Sequence, residues 1–99
     1  MKVKKPFIVS EGTLKTQDLV PAFERFISAR KVKELRRPYG LTRKNIDDYE
    51  KTSDAIRELW NEYLNEALFP AMDELSGVGL CFGSHPGDGA CFGFFSLDD

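Results

Sequence analysis

The chain has 99 residues, of which 41% are hydrophobic and 30% are charged, and its net charge at pH 7 is −2. This length fits one domain, residues 1–99, with its own core, and the composition argues against a disordered chain. No apolar run approaches the roughly 20 residues of a membrane span, and the run Phe7-Ile8-Val9 is too short for a signal peptide. We therefore expect a cytoplasmic protein that does not bind membranes and whose two cysteines are reduced.

The first half of the chain predicts a short strand and then one long helix. The β-branched and aromatic residues of 5–10 are typical of a strand. Apolar residues then recur at three- and four-residue spacing, which predicts a helix from about Asp18 to about Leu35. With Asp18 as the N-cap, Pro21 falls in the first turn, where its missing N–H has no intrahelical partner. The sequence Arg-Arg-Pro-Tyr-Gly at 36–40 ends this helix.

A polar connection, residues 41–54, leads to the second main helix. Asn45 can cap a short helical turn within this connection, and Ser53 can cap the helix itself. Apolar residues at helical spacing then run from 56 to 68 and form its inward face. Pro70 either kinks this helix or begins a short final one.

The C-terminal part is rich in glycine and contains the triplet Cys-Phe-Gly twice, at 81–83 and at 91–93. Apolar and small residues alternate around a cluster of Gly, Pro, Asp and Ser, which predicts a β-hairpin. We expect Cys81 to pair with Cys91 across this hairpin, so that residues 84–88 form a five-residue loop.

Together these elements predict an α+β fold. Two main helices, the second bent at Pro70, would pack on one face of the C-terminal antiparallel hairpin, with the N-terminal strand as a candidate third strand. A two-stranded hairpin alone is marginal in water, so it needs the helices behind it. The expected core consists of Phe23, Phe26, Ile27, Ile56, Leu59, Trp60, Tyr63, Leu64, Met72, Leu80 and Phe92.

The hairpin loop is the first candidate site, because it holds the only histidine of the chain. As an interaction loop it would present Ser84, His85, Pro86 and Asp88 to a partner. A purely structural turn is the favoured interpretation, since Pro-Gly suits the centre of a β-turn and Asp88 can bind nearby backbone amides. The alternative is a metal site, whose candidate ligands are Cys81, His85, Asp88 and Cys91. The two thiols lack the spacing of a zinc knuckle, so we predict no bound metal.

Catalytic patterns are weak in this sequence. The glycine-rich loop does not lead into a helix, as a phosphate-binding loop would, because only Phe-Phe-Ser-Leu-Asp-Asp follows Gly93. A cysteine nucleophile would need His85 as its base and Asp88 to orient that base, on an exposed tip without a deep pocket. We therefore lean against an enzyme and expect no cofactor.

The second candidate site is a basic segment. Residues 1–50 carry 12 Lys/Arg against 7 Asp/Glu, whereas residues 51–99 carry 2 against 9. Positive charge is concentrated between residues 30 and 44, which is the one feature typical of nucleic-acid binding. The residues that would contact nucleic acid are Arg30, Lys33, Arg36, Arg37, Tyr39, Arg43 and Lys44. The alternative is a solvated helix end, where cations favour the C-terminal dipole.

An acidic row on the second main helix opposes this basic segment in charge. Its members recur every four residues and are Asp54, Glu58, Glu62 and Glu66. At this spacing they form a slowly drifting stripe on one side of a helix. The row is either a solvated face or a surface that meets the basic segment, within the chain or across a dimer.

Three stretches of the chain resemble a group of small bacterial proteins carried by plasmids, phages and other mobile elements. They are GTLKTQDLVPAF, LWNEYLNEALFPAMDEL and CFGSHPGDGACFGF, and they span about residues 11–95. The most specific part is the His-x-Gly-Asp-Gly turn followed by Phe-Gly-Phe. In that group an acidic residue often stands at the position of Cys91, which implies that a Cys81/Cys91 thiol pair is not required. The group has no activity to transfer, so the resemblance implies an accessory or interaction protein.

The sequence is compatible with two functions from different classes. The first is a small, non-catalytic accessory protein that binds another protein or a second copy of itself. It rests on the two oppositely charged halves and on the exposed hairpin loop. The alternative is a nucleic-acid-binding regulator that uses residues 30–44.

Overall fold

The computed structural model describes residues 2–42 and 44–97 and confirms the α+β class. In these residues four α-helices pack against a three-stranded antiparallel sheet. In chain order the elements are β1 (Phe7–Ser10), α1 (Thr16–Glu24), α2 (Ala29–Arg36), α3 (Asp54–Tyr63), α4 (Phe69–Glu74), β2 (Leu80–His85) and β3 (Asp88–Ser96). Short 3-10 helices cover Arg37–Tyr39 and Ile46–Lys51.

The strands are ordered β1-β3-β2, so the C-terminal strand lies in the centre of the sheet. β1 pairs with β3, and Phe7 lies opposite Phe94. The N-terminal strand is therefore the third strand that the hairpin needs to bury one face. A further backbone contact holds the chain just before β1, because the Val3 N–H donates to the Leu75 carbonyl and the Val3 carbonyl accepts from Gly77 N–H.

The predicted pairing of Cys81 with Cys91 is wrong. Cys81 lies opposite Phe95, and His85 lies opposite Asp88, so the loop contains only two residues instead of five. A bulge between Ser84 and His85 absorbs the extra residues of β3. The observed register is shifted by four residues, which preserves the alternation of faces. It places Phe82 directly opposite Phe94, with ring centroids 5.0 Å apart.

The single long helix predicted for the first half is also wrong, because the chain forms α1 and α2 instead. α1 ends in tight turns, and Ser28 then adopts an extended conformation and accepts a hydrogen bond from the Lys31 N–H through its side chain. α1 also begins at Thr16, earlier than expected, and the Thr16 hydroxyl hydrogen-bonds the side chain of Asn61 on α3. Pro21 consequently lies inside α1 and removes one intrahelical hydrogen bond.

The helical run from α3 to α4 is continuous, with a π-helical turn at Leu64–Leu68. In this turn the Phe69 N–H donates to the Leu64 carbonyl, five residues back. Pro70 is the second residue of α4, and because the run is continuous its missing N–H removes one helical hydrogen bond directly after the π-helical turn. The predicted cap at Ser53 is confirmed, since its hydroxyl accepts from the Ile56 N–H at 3.4 Å. Asn45 likewise caps the turn that follows it.

The core lies between the sheet and the four helices and is centred on aromatic rings. Phe23 is fully buried, and its ring makes edge contacts with Phe69, Phe82 and Phe92 at centroid distances of 5.1, 5.0 and 6.0 Å. One predicted core residue is not in the core, since Phe26 is 42% exposed. Four others are only half-buried: Ile27, Ile56, Leu59 and Leu80. Buried residues that are absent from the expected core include Leu19, Leu41, Leu68 and Phe94.

Two glycines that face each other in the hairpin provide a matched test of strand packing. A Cβ at Gly93 would lie 2.3 Å from the Phe7 carbonyl oxygen and 2.9 Å from Ile8 Cα, so β1 would have to move. A Cβ at its partner Gly83 would meet no atom within 4 Å. We expect Gly93→Ala to lower the free energy of unfolding by about 1–3 kcal/mol. Gly83→Ala should change it by less than about 0.5 kcal/mol.

Urea denaturation of both glycine variants measures this difference. Amide hydrogen exchange should in addition show loss of protection in β1 for Gly93→Ala alone. Equal destabilisation by the two substitutions would contradict the close approach of β1 to β3.

Candidate functional site

The hairpin tip is shaped by its own side chains. His85 Nδ1 accepts a hydrogen bond from the Gly87 N–H at 2.9 Å, and Asp88 Oδ1 accepts one from the Ala90 N–H at 3.0 Å. The imidazole also packs edge-on against Phe95, with ring centroids 5.4 Å apart. Both side chains thus bind backbone amides of their own turn. Ser84 and Pro86, the other residues of the candidate interaction loop, are exposed.

The tip does not gather the four candidate metal ligands. Cys81 lies four residues before His85 on β2, a separation of about 13 Å at the usual strand rise. Among residues 2–42 and 44–97, no group of three or more His, Cys, Asp or Glu side chains is arranged to hold a metal ion. His85 and Asp88 instead direct ring and carboxylate atoms towards backbone amides.

The two cysteines are free and differ in environment. Cys81 is half-buried, whereas Cys91 is only 5% exposed. Burial, together with the negative charges of Glu11 and Asp88, raises the pKa of the Cys91 thiol above its usual value. Because the thiolate is the reactive form, Cys91 should be the less reactive of the two.

Thiol labelling checks this difference. We expect a disulfide reagent at pH 8 to modify Cys81 at least about tenfold faster than Cys91, because Cys91 is less accessible and its raised pKa lowers its own thiolate fraction. The Cys81→Ser and Cys91→Ser variants assign each rate, and labelling in urea should make the rates similar. Equal rates in the folded protein would contradict the burial of Cys91.

Arg36, a candidate nucleic-acid contact, belongs instead to a half-buried cluster that joins three helices. Its guanidinium forms two hydrogen bonds with the Glu24 carboxylate, at 2.7 and 2.8 Å. It also donates to the carbonyls of Leu41 and Lys44 and lies over the Trp60 ring, 5.0 Å from the centroid. Burial lowers the pKa of Arg36, but the hydrogen bonds and charge of Glu24 outweigh this effect and raise it. Arg36 is therefore fixed and charged.

Tyr63 completes this cluster from α3. Its hydroxyl donates to Glu24 Oε2 at 2.6 Å, so one carboxylate receives bonds from both Tyr63 and Arg36. Burial and the hydrogen bond and charge of Glu24 raise the pKa of Tyr63 well above its usual value, and the hydroxyl stays protonated at neutral pH. Its ring packs edge-on against Tyr39, with centroids 5.7 Å apart. Tyr39, another candidate nucleic-acid contact, is thus half-buried.

The other described members of the basic segment face solvent. Arg30, Lys33, Arg37 and Lys44 are exposed, and Arg43 lies outside the described residues. Arg30 and Lys33 on α2 and Arg37 just after it are spaced three and four apart, so they share one side of the helix. These side chains remain available to a polyanion, whereas Arg36 and Tyr39 are occupied.

The acidic row runs along α3 into the π-helical turn, and two of its members, Glu62 and Glu66, lie near Tyr39 of the basic segment. All four of its carboxylates are exposed, and Asp54 forms an ion pair with Arg57 of the same helix at 3.4 Å. Burial raises the pKa of Tyr39, and the charges of Glu66 and Glu62 raise it further, which places both carboxylates near this ring. Within the described part of the chain, no ion pair of 4 Å or less joins the row to the segment.

A groove of about 870 Å³ that sequence reasoning did not predict lies next to the N-terminal segment. One wall is the N-terminal segment, and the others are the α1–α2 junction with the start of α2 and the end of α4. Its apolar lining consists of Val3, Phe7, Phe26, Ile27, Ala71 and Leu75. Phe7 and Phe26 pack on each other with ring centroids 5.4 Å apart, yet they remain 36% and 42% exposed. The groove thus presents aromatic surface to solvent.

Lysines surround this apolar surface, and we call the whole feature the lysine-rimmed groove. Its charged residues are Lys2, Lys4, Lys5, Lys31 and Glu74. The Lys2 ammonium donates to the backbone carbonyl of Glu74. Lys4, Lys5 and Lys31 are exposed, and no carboxylate of the described residues lies within 4 Å of their ammonium groups. The groove therefore carries net positive charge around an apolar floor.

The signals for this groove are present in the sequence but belong to distant segments. Lys2, Lys4 and Lys5 flank Val3 and shortly precede Phe7. Phe26 fits the apolar stripe of a single long helix, and that stripe predicts a core position for it. Only the break between α1 and α2 turns Phe26 towards the N-terminal segment.

Comparison with known protein families, curated proteins and solved structures finds no match for this chain. In the described residues, no helix is both long enough and apolar enough to span a membrane.

Proposed function

We propose that this protein is a non-catalytic interaction protein that binds a segment of another protein in the lysine-rimmed groove. The observation that carries the proposal is that exposed aromatic rings lie in one concavity with Lys4, Lys5 and Lys31, which form no ion pair with the described residues. Single exposed apolar residues are common on protein surfaces, but contiguous apolar patches with a polar rim are typical of interaction sites. The hairpin tip, in contrast, directs its polar side chains towards its own backbone.

The chemistry of the groove selects the kind of partner. Phe7, Phe26 and Leu75 offer apolar surface to the side chains of an incoming segment. Lys4, Lys5 and Lys31 would meet acidic side chains next to those apolar ones. An amphipathic helix with an acidic flank has this combination, and helices bind apolar grooves through side chains at helical spacing. The lysines would add specificity and association rate more than affinity.

The expected setting follows from the sequence. We place the protein in the cytoplasm, because its composition is that of an ordinary globular domain and both cysteines are free. The resemblance of residues 11–95 to proteins of plasmids and phages favours an accessory role in a mobile element.

A designed peptide tests the proposal without knowledge of the natural partner. The probe is a fluorescently labelled amphipathic helix with leucines on one face and glutamates beside them, and its binding is measured by anisotropy. We expect Phe26→Ala and the double variant Lys4→Glu/Lys5→Glu each to weaken binding at least about tenfold. The matched control is Lys33→Glu/Arg37→Glu, which reverses two exposed charges outside the groove and should leave binding within about twofold.

The same set of variants defines the outcomes that overturn the proposal. Absence of binding to the wild-type protein at low salt overturns it. Equal loss in the control variant also overturns it, because the lysines of the groove would then act only through net charge.

Nucleic-acid binding is the second candidate function, and the exposed cations on one side of α2 support it. Arg30, Lys33 and Arg37 would contact phosphates. In this case affinity for a duplex or a single strand should fall steeply with salt, and the triple variant Arg30→Glu/Lys33→Glu/Arg37→Glu should abolish it. No binding at 50 mM salt, or a triple variant that binds like the wild type, would rule this candidate out.

A further inference from the structure

The lysine-rimmed groove does not end at α4. A second depression of about 270 Å³ adjoins it and shares Lys31, Ala71 and Glu74 as lining residues. This second section lies between α2 and the 3-10 turn after it on one side and the π-turn and α4 on the other. Its apolar lining includes Leu35, Pro38, Tyr39, Ala67 and Pro70. The two sections adjoin at these three shared residues, and we call them together the channel.

The charges of the two sections are opposite. The first section carries Lys2, Lys4 and Lys5, whereas the second carries Glu34 and Glu66. Lys31 and Glu74 lie where the sections meet. All of these side chains belong to exposed residues, so their charges are presented to whatever occupies the channel.

We infer that the channel binds a charge-polarised helix of a partner protein, with its acidic end at Lys4 and Lys5 and its basic end at Glu34 and Glu66. This inference rests on the proposed function, because it describes the partner of the same groove. It adds that the partner is bipolar and that it binds in one orientation. A uniformly acidic segment would be repelled by the second section, and a uniformly basic one by the first.

The field at the second section agrees with this assignment. Tyr39 lines it, and the charges of Glu66 and Glu62 raise the pKa of its hydroxyl in addition to the effect of burial. The negative potential there therefore reaches the apolar surface that an occupant would cover. A lysine or arginine of the partner beside Tyr39 would find both carboxylates and an aromatic ring.

The length and direction of the occupant follow from helix geometry. The channel extends along α2 from Ser28 to Tyr39, which is about 16 Å at 1.5 Å per residue. A partner helix of about three turns covers this distance. Acidic residues stabilise the N-terminus of a helix and basic residues the C-terminus, so the partner helix binds with its N-terminus at the lysines.

Two helical peptides of equal length and identical leucine face provide the probes. One is bipolar, with glutamates in its N-terminal half and lysines in its C-terminal half, and the other is all-acidic. The test variant Glu34→Lys/Glu66→Lys should bind the bipolar peptide at least about fivefold more weakly than the wild type and should bind the all-acidic peptide more tightly. The control Asp48→Lys/Glu58→Lys makes the same charge change at exposed residues outside the channel. It should not change the affinities for the two peptides in opposite directions.

A spin label at the N-terminus of the bipolar peptide reports its orientation. It should broaden the amide signals of Lys4 and Lys5 more strongly than those of Arg37 and Tyr39 at the other end of the channel. A reversed or mixed pattern overturns the orientation.

The outcomes separate this inference from the proposed function. If the all-acidic peptide binds in the groove and Glu34→Lys/Glu66→Lys changes the affinity for both peptides in the same direction, the bipolar inference is wrong and the proposed function stands. If neither peptide binds the wild-type protein, the proposed function fails and the inference fails with it.

Discussion

Replacing Arg36 by alanine should lower the free energy of unfolding by about 2–4 kcal/mol. The side chains of Arg36 and Glu24 are only 15% and 14% exposed, so the substitution leaves the Glu24 carboxylate without its cation in a half-buried site. It also removes the hydrogen bonds that the guanidinium donates to the backbone carbonyls of Leu41 and Lys44 in the loop after α2. Contact of the guanidinium with Trp60 is lost at the same time. Urea denaturation followed by tryptophan fluorescence measures the change.

Arg37→Ala is the matched control for this prediction. Arg37 is the next residue and is exposed, so its removal should cost less than about 0.5 kcal/mol. The double variant Glu24→Gln/Arg36→Met should be less destabilised than the sum of the two single variants, because neither partner is then left as an uncompensated charge. A similar small cost for both arginines would show that the Arg36 cluster contributes little to stability.

Replacing Phe23 by alanine should be the most destabilising single change, at about 3–5 kcal/mol. The ring is fully buried and makes edge contacts with Phe69 on α4 and with Phe82 and Phe92 on the hairpin. Its removal leaves a cavity between the helices and the sheet that a rigid core fills only in part. Thermal and urea unfolding should both report the loss.

Phe26→Ala makes the same chemical change three residues later and is the matched control. Because Phe26 is 42% exposed in the lysine-rimmed groove, we expect a cost below about 1.5 kcal/mol together with weaker peptide binding. Phe23→Ala alters stability through the core and Phe26→Ala alters function through the surface. Comparable destabilisation by both would mean that Phe26 is buried and that the groove is closed.

Local sequence signals determined much of the secondary structure. Asn45 and Ser53 predicted helix starts correctly, because a side chain caps the amide two or three residues ahead wherever the rest of the chain lies. The alternation around Pro86-Gly87 identified the hairpin for a similar reason, since turn geometry depends on adjacent residues. The α+β class follows from these elements in order.

Tertiary contacts decided the features on which the candidate site depends. The predicted and the observed hairpin registers put the same residues on each face of the sheet. In the observed register Phe82 packs against Phe94 on the face that the helices cover, and this contact favours it. The stripe that suggested one helix is divided at Ser28, and α2 is then held by the bond of Arg36 to Glu24. That division turns Phe26 from the core to the surface.

The sequence by itself therefore determined the type and order of most elements, whereas the register, the break between α1 and α2 and the lysine-rimmed groove came only from the tertiary structure. The physical reason is the sequence separation of the residues that interact. Capping and turn formation involve residues two or three apart, and the sequence displays such pairs directly. The groove joins Lys4, Phe26 and Leu75, and the exposure of each depends on the packing of segments that are far apart in the chain. Arg36 is a further example, because its neighbours Glu24 and Trp60 are 12 and 24 residues away in the sequence.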